Sequence, residues 1–280
     1  MNEMYMRFPE GRKKAFTISY DDNVTQDERL IRLMETYQIK GTFNIIPGWF
    51  SNEGAVFPPE ETYVNVTEKQ ALDLYDNDLV EVANHGFNHT KMTTLANYLQ
   101  MNDILKCREK LETMYHAVIT GFAYPYGWYD HALMKVLKDA GITYARTVCS
   151  TGTFDLPDNW LELNPTCHHD DPALSELTDR FIKDAVTEHP LLFYVWGHTF
   201  EFDRNDNWDV IETLFENISG HDDEVWYATN GEICDYHRAF CNLVCSVDGG
   251  RIYNPSATHL WAEIDNTLVD LPAGTVTDIK

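Results

Sequence analysis

Short apolar runs alternate with amphipathic stretches about seven times along the first 240 residues, and that rhythm constrains the fold more than any other feature. AFTISY (15–20) is β-like, and QDERLIRLMETY (26–37) carries Leu30, Leu33, Met34 and Tyr37 on one helical stripe. GTFNII (41–46) and LVEVAN (79–84) read as the next strands, with a helix between them that Thr67 and Gln70 open as a capping box. AVITGFAY (117–124), ITYARTV (142–148), LLFYVW (191–196) and VWYA (225–228) continue the strand series. Helices are predicted near 94–116, 131–141 (ended by Gly141), 173–188, 207–219 and 229–241. Strand and helix in strict alternation predict parallel βαβ units, closed as a barrel or left as an open sheet. From about residue 245 the pattern changes to apolar–polar alternation with Asn266 and Gly274 as turn candidates, which predicts a small β appendage. The expected division is therefore a (β/α) barrel over 1–244 and a C-terminal β extension over 245–280 packed on it.

A chain of 280 residues is long enough for one such barrel, and a hydrophobic content of 44% supplies its core. A formal charge of −24 repels phosphate backbones and anionic membranes, so nucleic acid is excluded as an expected partner. No apolar run reaches membrane-spanning length, and no basic-then-apolar leader opens the sequence, so the expectation is a cytoplasmic protein acting on a small molecule or oligosaccharide. The six cysteines lack paired C-x-x-C spacing and are expected as free thiols. A homo-oligomer is left open.

In parallel α/β folds chemistry gathers where strands end and loops begin. The first strand ends in Tyr20-Asp21-Asp22, and the third in His85-Gly-Phe-Asn-His89. The fourth ends in Tyr124-Pro125-Tyr126-Gly127, the fifth reaches Arg146, and the sixth ends in Trp196-Gly197-His198. Acids and imidazoles thus collect at one rim. Two histidines at i, i+4 point the same way on a first helical turn or in a compact loop. With one carboxylate they make a His₂-carboxylate set with open positions, suited to zinc, cobalt, nickel or manganese.

These residues resemble the NodB-type polysaccharide deacetylases, carbohydrate esterase family 4, over residues 14–240. The family's Thr-Phe-Asp-Asp box is matched by Ser19-Tyr20-Asp21-Asp22, and its His-x-x-x-His box by His85 to His89. Its Arg-x-Pro-Tyr box is matched by Ala123-Tyr124-Pro125-Tyr126, and its Leu-x-His box by Trp196-Gly197-His198. The resemblance implies a distorted (β/α)₇ barrel and metal-dependent removal of an acyl group from an amide, with an N-acetylated amino sugar or oligosaccharide as the expected substrate. It implies Asp22, His85 and His89 as ligands of one divalent ion, zinc first, with Asp21 as general base and His198 as general acid. A backbone N–H near Tyr126 is expected at the oxyanion, and Pro125, Tyr126, Arg146, Trp196 and His168 around the substrate. The family arginine is replaced by Ala123, so Arg146 is expected to orient Asp21 instead. The family's Asp-Trp element is matched only loosely, by FDLPDNW (154–160).

Each residue also has a plainer reading. Asp21-Asp22 is compatible with a polar turn, Arg146 with a structural ion pair, and Tyr124 and Tyr126 with rim packing. Trp49, Trp128 and Trp196 fit sugar stacking or ordinary burial. NPTCHHDDP (164–172) has the composition of a second metal site, but adjacent histidines usually point apart, so it is expected as a solvent loop near the cleft. Glu201 and Asp203 are not distinguishable from solvated acids. Three functional alternatives remain: a cyclic amide or imide hydrolase of the allantoinase kind, a carbohydrate-binding protein without turnover, and a metal-independent glycosidase using paired carboxylates.

Overall fold

The computed structural model describes residues 3–58, 60–186 and 188–279. In chain order the elements are β1 (Met4–Arg7), β2 (Lys14–Asp21), α1 (Asp27–Tyr37), β3 (Gly41–Ile45), α2 (Glu68–Tyr75), β4 (Val80–Asn84), α3 (Asn97–Tyr115), β5 (Gly121–Ala123), α4 (His131–Asp139) and β6 (Tyr144–Arg146). There follow β7 (Cys167–His168), α5 (Leu174–Lys183), β8 (Leu191–Gly197), α6 (Phe200–Asn205), α7 (Asp209–Ile218), β9 (Val225–Tyr227) and α8 (Asn230–Cys241). The tail contributes β10 (Val244–Cys245), β11 (Arg251–Tyr253), β12 (Leu260–Ile264), β13 (Thr267–Leu271) and β14 (Val276–Asp278).

Seven parallel strands run in the order β6–β5–β4–β3–β2–β8–β7, and β9 pairs with the first half of β2. The sheet curls into a distorted barrel whose two edges meet through the chain between β6 and β7. There Leu163 donates its N–H to Ala145 O and Thr147 donates to Leu163 O, while Thr166 donates to Tyr194 O on β8. This segment stands where a further full strand would close an eight-stranded barrel.

β2 is buried along its whole length, which explains its near-continuous apolar reading. Phe16, Ile18 and Tyr20 face the helices and join Phe43, Leu30, Met34 and Phe193 in the main core. The alternate residues Thr17, Ser19 and Asp21 face the barrel interior, and this interior is polar. Thr17 donates to Asn230 Oδ1 at 3.2 Å, and Asn44 donates from Nδ2 to Ser19 Oγ at 2.7 Å. At the lower end Glu81 accepts from Thr42 and Tyr144, each at 2.8 Å, and from the Gly231 N–H at 2.9 Å. Side chains inside the barrel therefore satisfy one another in tiers, and the top tier is Asp21.

The Thr67–Gln70 capping box forms in both directions at the start of α2. Several elements are shorter than expected: β5 covers only 121–123, with Val118 outside it and exposed, and α5 stops at Lys183; Thr187, within the expected helix, lies outside the described residues. The tail forms two three-stranded antiparallel sheets, β1–β12–β13 and β10–β11–β14. Asp265 and Asn266, both with positive φ, form the two-residue hairpin turn between β12 and β13. β1 pairs with β12 across some 260 residues of sequence, Met4 opposite Ile264. No helix among the described residues is long and apolar enough to cross a membrane.

Candidate metal-dependent active site

β2 delivers Asp21 to the barrel mouth, and the chain then turns through positive φ at Asp22 (77°) and Asn23 (45°). Asp and Asn tolerate this region better than other side chains. The turn is pinned by Asn23 Oδ1, which accepts the Ile46 N–H at 2.8 Å, and by Asn65 Nδ2, which donates to Asp22 O at 2.6 Å. The bend puts both carboxylates at the mouth.

His85 and His89 lie in a compact loop rather than a helix. The loop wraps around the buried Asp103 of α3, which accepts from the Phe87 N–H at 2.6 Å and from Asn88 Nδ2 at 2.8 Å. Gly86 has φ +75°, and a Cβ there would meet Met92 Cε and Asp103 Oδ1 at 2.9 and 3.0 Å, so the position accepts only glycine without rearrangement. His85 donates from Nδ1 to Ala123 O at 2.8 Å, which fixes the tautomer and leaves the Nε2 lone pair facing the mouth. The His85 and His89 Nε2 atoms lie 3.7 and 3.9 Å from Asp22 Oδ1. Burial pushes both imidazoles down to about 4, so they are neutral at physiological pH.

These three groups fit a divalent cation. Asp22, His85 and His89 each offer a ligand atom within 4.8 Å of the others. Asp22 Oδ1 is buried without a hydrogen-bond partner among the described residues, while Oδ2 accepts from the Tyr63 hydroxyl at 3.1 Å, so one oxygen is turned inward and the other held back. Two neutral imidazoles and one carboxylate are the donor set that zinc and its neighbours take.

Asp21 sits beside this group with no exposed surface to speak of. Asn44 Nδ2 donates to its Oδ1 at 2.8 Å, and Arg146 donates to its Oδ2 through Nη2. Burial alone would raise the Asp21 pKa, but the Arg146 guanidinium, His85 and His198 hold it well below the usual carboxylate range. Arg146 stands on β6 directly opposite Ala123 on β5, and its guanidinium lies 4.5 Å from the centre of the Trp196 ring. For Asp22 burial and the Asp21 charge outweigh His198, His89 and Tyr63, and its pKa is raised.

His198 follows β8 on the opposite side of the mouth. Its Nε2 is 3.8 Å from Asp21 Oδ2 and 4.0 Å from Asp22 Oδ2, and its Nδ1 is 3.3 Å from Glu201 Oε1. Burial would lower its pKa, but Glu201, Asp21 and Asp22 raise it. The Tyr126 ring packs 4.4 Å from His89 on the Pro125 turn, and His168 packs 4.8 Å from Trp196. The structure thus brings Asp21, Asp22, His85, His89, Arg146 and His198 together, with Pro125 and Tyr126 on one flank and Trp196 and His168 on the other.

Asn44, Tyr63, Asp103 and the particular role of Glu201 were missed from the sequence. Asn44 had a usable signal, since a polar residue inside a buried apolar strand must be satisfied by something. The Cys167–Asp170 stretch is a correction: it is not a solvent loop, because Cys167 and His169 are buried and the two histidine rings pack 4.3 Å apart.

The polysaccharide deacetylase family model matches residues 9–145. No curated protein matches the chain. Among solved structures, a proposed polysaccharide deacetylase from Mycobacterium smegmatis is 16% identical, with a TM-score of 0.58 over 84% of this chain and 93% of its own. A carbohydrate esterase family 4 domain of a multidomain xylanase, from the hindgut metagenome of Trinervitermes trinervoides, is 13% identical, with a TM-score of 0.51 over 85% and 93%. A Streptococcus pyogenes deacetylase in complex with acetate is 19% identical with a TM-score of 0.45 over 52% of this chain, which spans 61% of that protein's length. The two broader alignments share the fold of seven parallel strands with added antiparallel strands. With its Asp-Asp, His-x-x-x-His and Pro-Tyr boxes set around one barrel mouth, the chain matches the polysaccharide deacetylase family model over residues 9–145 and shares the fold of the two solved structures aligned over most of its length.

Proposed function

We propose that the chain is a metal-dependent amide hydrolase that removes the acetyl group from an N-acetylated amino sugar or oligosaccharide. The observation that supports it most is the convergence of Asp22 Oδ1 and two neutral imidazoles between an ionised Asp21 and His198. Asp22, His85 and His89 would hold the ion, zinc first, with cobalt, nickel or manganese compatible with the same donors. Such an ion supplies Lewis acidity, which acidifies a water and polarises the amide carbonyl.

Asp21 is kept in its basic form by Arg146 and Asn44 and accepts the proton of the water that attacks the carbonyl carbon. His198 has a raised pKa and carries a proton at Nε2, which it gives to the amine nitrogen as the carbon–nitrogen bond breaks. Glu201 beside Nδ1 orients the ring for that transfer. A backbone N–H near Tyr126 steadies the oxyanion, while Pro125, Trp196 and His168 form the walls that hold the acyl group and sugar.

The test is acetate release from a panel of N-acetylated sugars by zinc-loaded protein and by the same protein after chelation, with ring opening of cyclic amides followed in parallel. Acetate released only by the loaded protein supports the reading. Ring opening without acetate transfers it to cyclic amides, and metal binding with neither reaction sinks the hydrolase assignment.

A further inference from the structure

β7 runs directly into His168, His169 and Asp170, and both imidazoles converge on Glu201 at the start of α6. Their surroundings differ. The Asp170 N–H donates to His168 Nδ1 at 3.1 Å, so His168 carries its proton on Nε2, 3.2 Å from Glu201 Oε2. The His169 side chain is fully buried, stacked between Tyr20 (ring centres 5.7 Å apart) and Phe202 (4.2 Å). Neither of its ring nitrogens has a hydrogen-bond partner among the described residues. A buried polar atom left this way is costly and calls for an explanation. Its Nε2 faces two carboxylate oxygens, Asp170 Oδ1 and Glu201 Oε2, each 3.4 Å away.

We propose that His169 Nε2, Asp170 Oδ1 and Glu201 Oε2 form a second divalent-cation site, suited to zinc and distinct from the Asp22–His85–His89 group. Ligands about 2.0–2.2 Å from a tetrahedral zinc lie roughly 3.3–3.5 Å from one another, which matches both His169 separations. A buried imidazole donor argues against calcium and magnesium, which take oxygen ligands. The ligands are themselves held in place, as metal ligands need to be. Asn205 and Asn207 each donate to Asp170 at 3.1 Å, to Oδ2 and Oδ1, and His168 supports Glu201. A cavity of about 600 Å³, walled by His169, Asp170, Asp171, Asn205, Asn207 and Asp209, opens alongside. It gives an ion a path of entry and leaves room for a further ligand, a water or an oxygen of a bound molecule. Glu201 joins the two centres, because its Oε1 faces the His198 ring while its Oε2, which accepts the His198 backbone N–H at 3.2 Å, faces His169.

The proposal stands independently of the deacetylase reading, and one titration separates them. The full chain is stripped with chelator, re-equilibrated with zinc alone, and its zinc counted per chain by mass spectrometry, with affinities from competition against a chromophoric chelator. Two zinc ions are expected in the unaltered chain, and one in the His85→Ala/His89→Ala double variant. Asp170→Asn should weaken one of the two sites by about 100-fold or more and leave the other unchanged. His169→Ala should do the same; Asp170→Asn carries the test if that buried change fails to fold, because Asp170 is exposed and Asn keeps its shape. One zinc in the unaltered chain that vanishes in the double variant overturns the proposal. So do two zinc ions kept at full affinity by Asp170→Asn. One zinc that survives the double variant and is lost in Asp170→Asn upholds this site and sinks the other.

Discussion

Ala123 and Arg146 face each other in register on the parallel pair β5–β6, and the arginine reaches from its strand to Asp21. The guanidinium that holds Asp21 thus comes from the strand next to the one that carries Ala123. Both Arg146 and Asp21 are buried, so removing one partner leaves an uncompensated charge. Arg146→Ala should destabilise the protein by about 3–5 kcal/mol in chemical denaturation. Adding Asp21→Asn should recover part of that loss, since the stranded charge is then gone. Turnover unchanged in Arg146→Ala would end the idea that this residue holds the base.

Glu201 offers a sharper test of the proposed acid. His198 must be protonated to act, so activity falls as pH rises through its pKa. That pKa is raised partly by Glu201. Glu201→Gln should therefore move the alkaline limb of the kcat/KM profile toward lower pH, while His198→Gln should cut kcat by about 10²–10⁴-fold. A profile whose alkaline limb does not move in Glu201→Gln would assign that limb to another group.

The alternation of elements was legible because each βα unit buries an apolar strand and one helical stripe locally. Thr67 and Gln70 were legible for the same reason, since a cap is satisfied within four residues. The site boxes were readable because parallel topology puts strand ends on one rim, and Asp21, His85 and His198 fall there. What escaped was long-range. β1 meets β12 across nearly the whole chain, and nothing in MYMR announces that partner. β7 is two residues long and looked like loop, so the burial of His169 against Tyr20 and Phe202 had no local signature. Tyr63 reaches Asp22 from an irregular segment where periodicity says nothing.

Occupancy of the Asp22–His85–His89 site should be measurable as stability without any substrate. A ligand that binds only the folded state stabilises it by RT ln(1 + [L]/Kd), about 4 kcal/mol at a thousandfold excess over Kd. Chelation should lower Tm, and zinc should restore it. In Asp22→Asn the chelator-dependent shift should shrink, because the carboxylate charge among the three donors is lost while the shape is kept. A Tm shift that is the same in Asp22→Asn and the unaltered chain would place the responsible ion elsewhere.

Asp27, just beyond the Asp22–Asn23 bend, should give the protein a separate dependence on pH. It is fully buried at the start of α1, accepting from the Tyr75 hydroxyl on Oδ2 and the Thr199 hydroxyl on Oδ1, each at 2.5 Å. Burial outweighs both hydrogen bonds and pushes its pKa up to about 7. The folded state therefore holds a proton that the unfolded chain releases near an ordinary aspartate pKa of about 4. The stabilisation this proton confers is complete below about pH 4 and is lost as pH rises toward 7, where Asp27 ionises in its buried place. Over that window the contribution should fall by roughly a few kcal/mol, opposing the gain from Asp21, whose depressed pKa favours folding above its unfolded value. Asp27→Asn keeps the shape and removes the titration. Denaturation midpoints measured from pH 4.5 to 8 should decline less steeply, or rise more, in Asp27→Asn than in the unaltered chain. Parallel curves for the two proteins would mean that Asp27 ionises as easily inside the fold as outside it, and that the Tyr75 and Thr199 hydroxyls fully offset its burial.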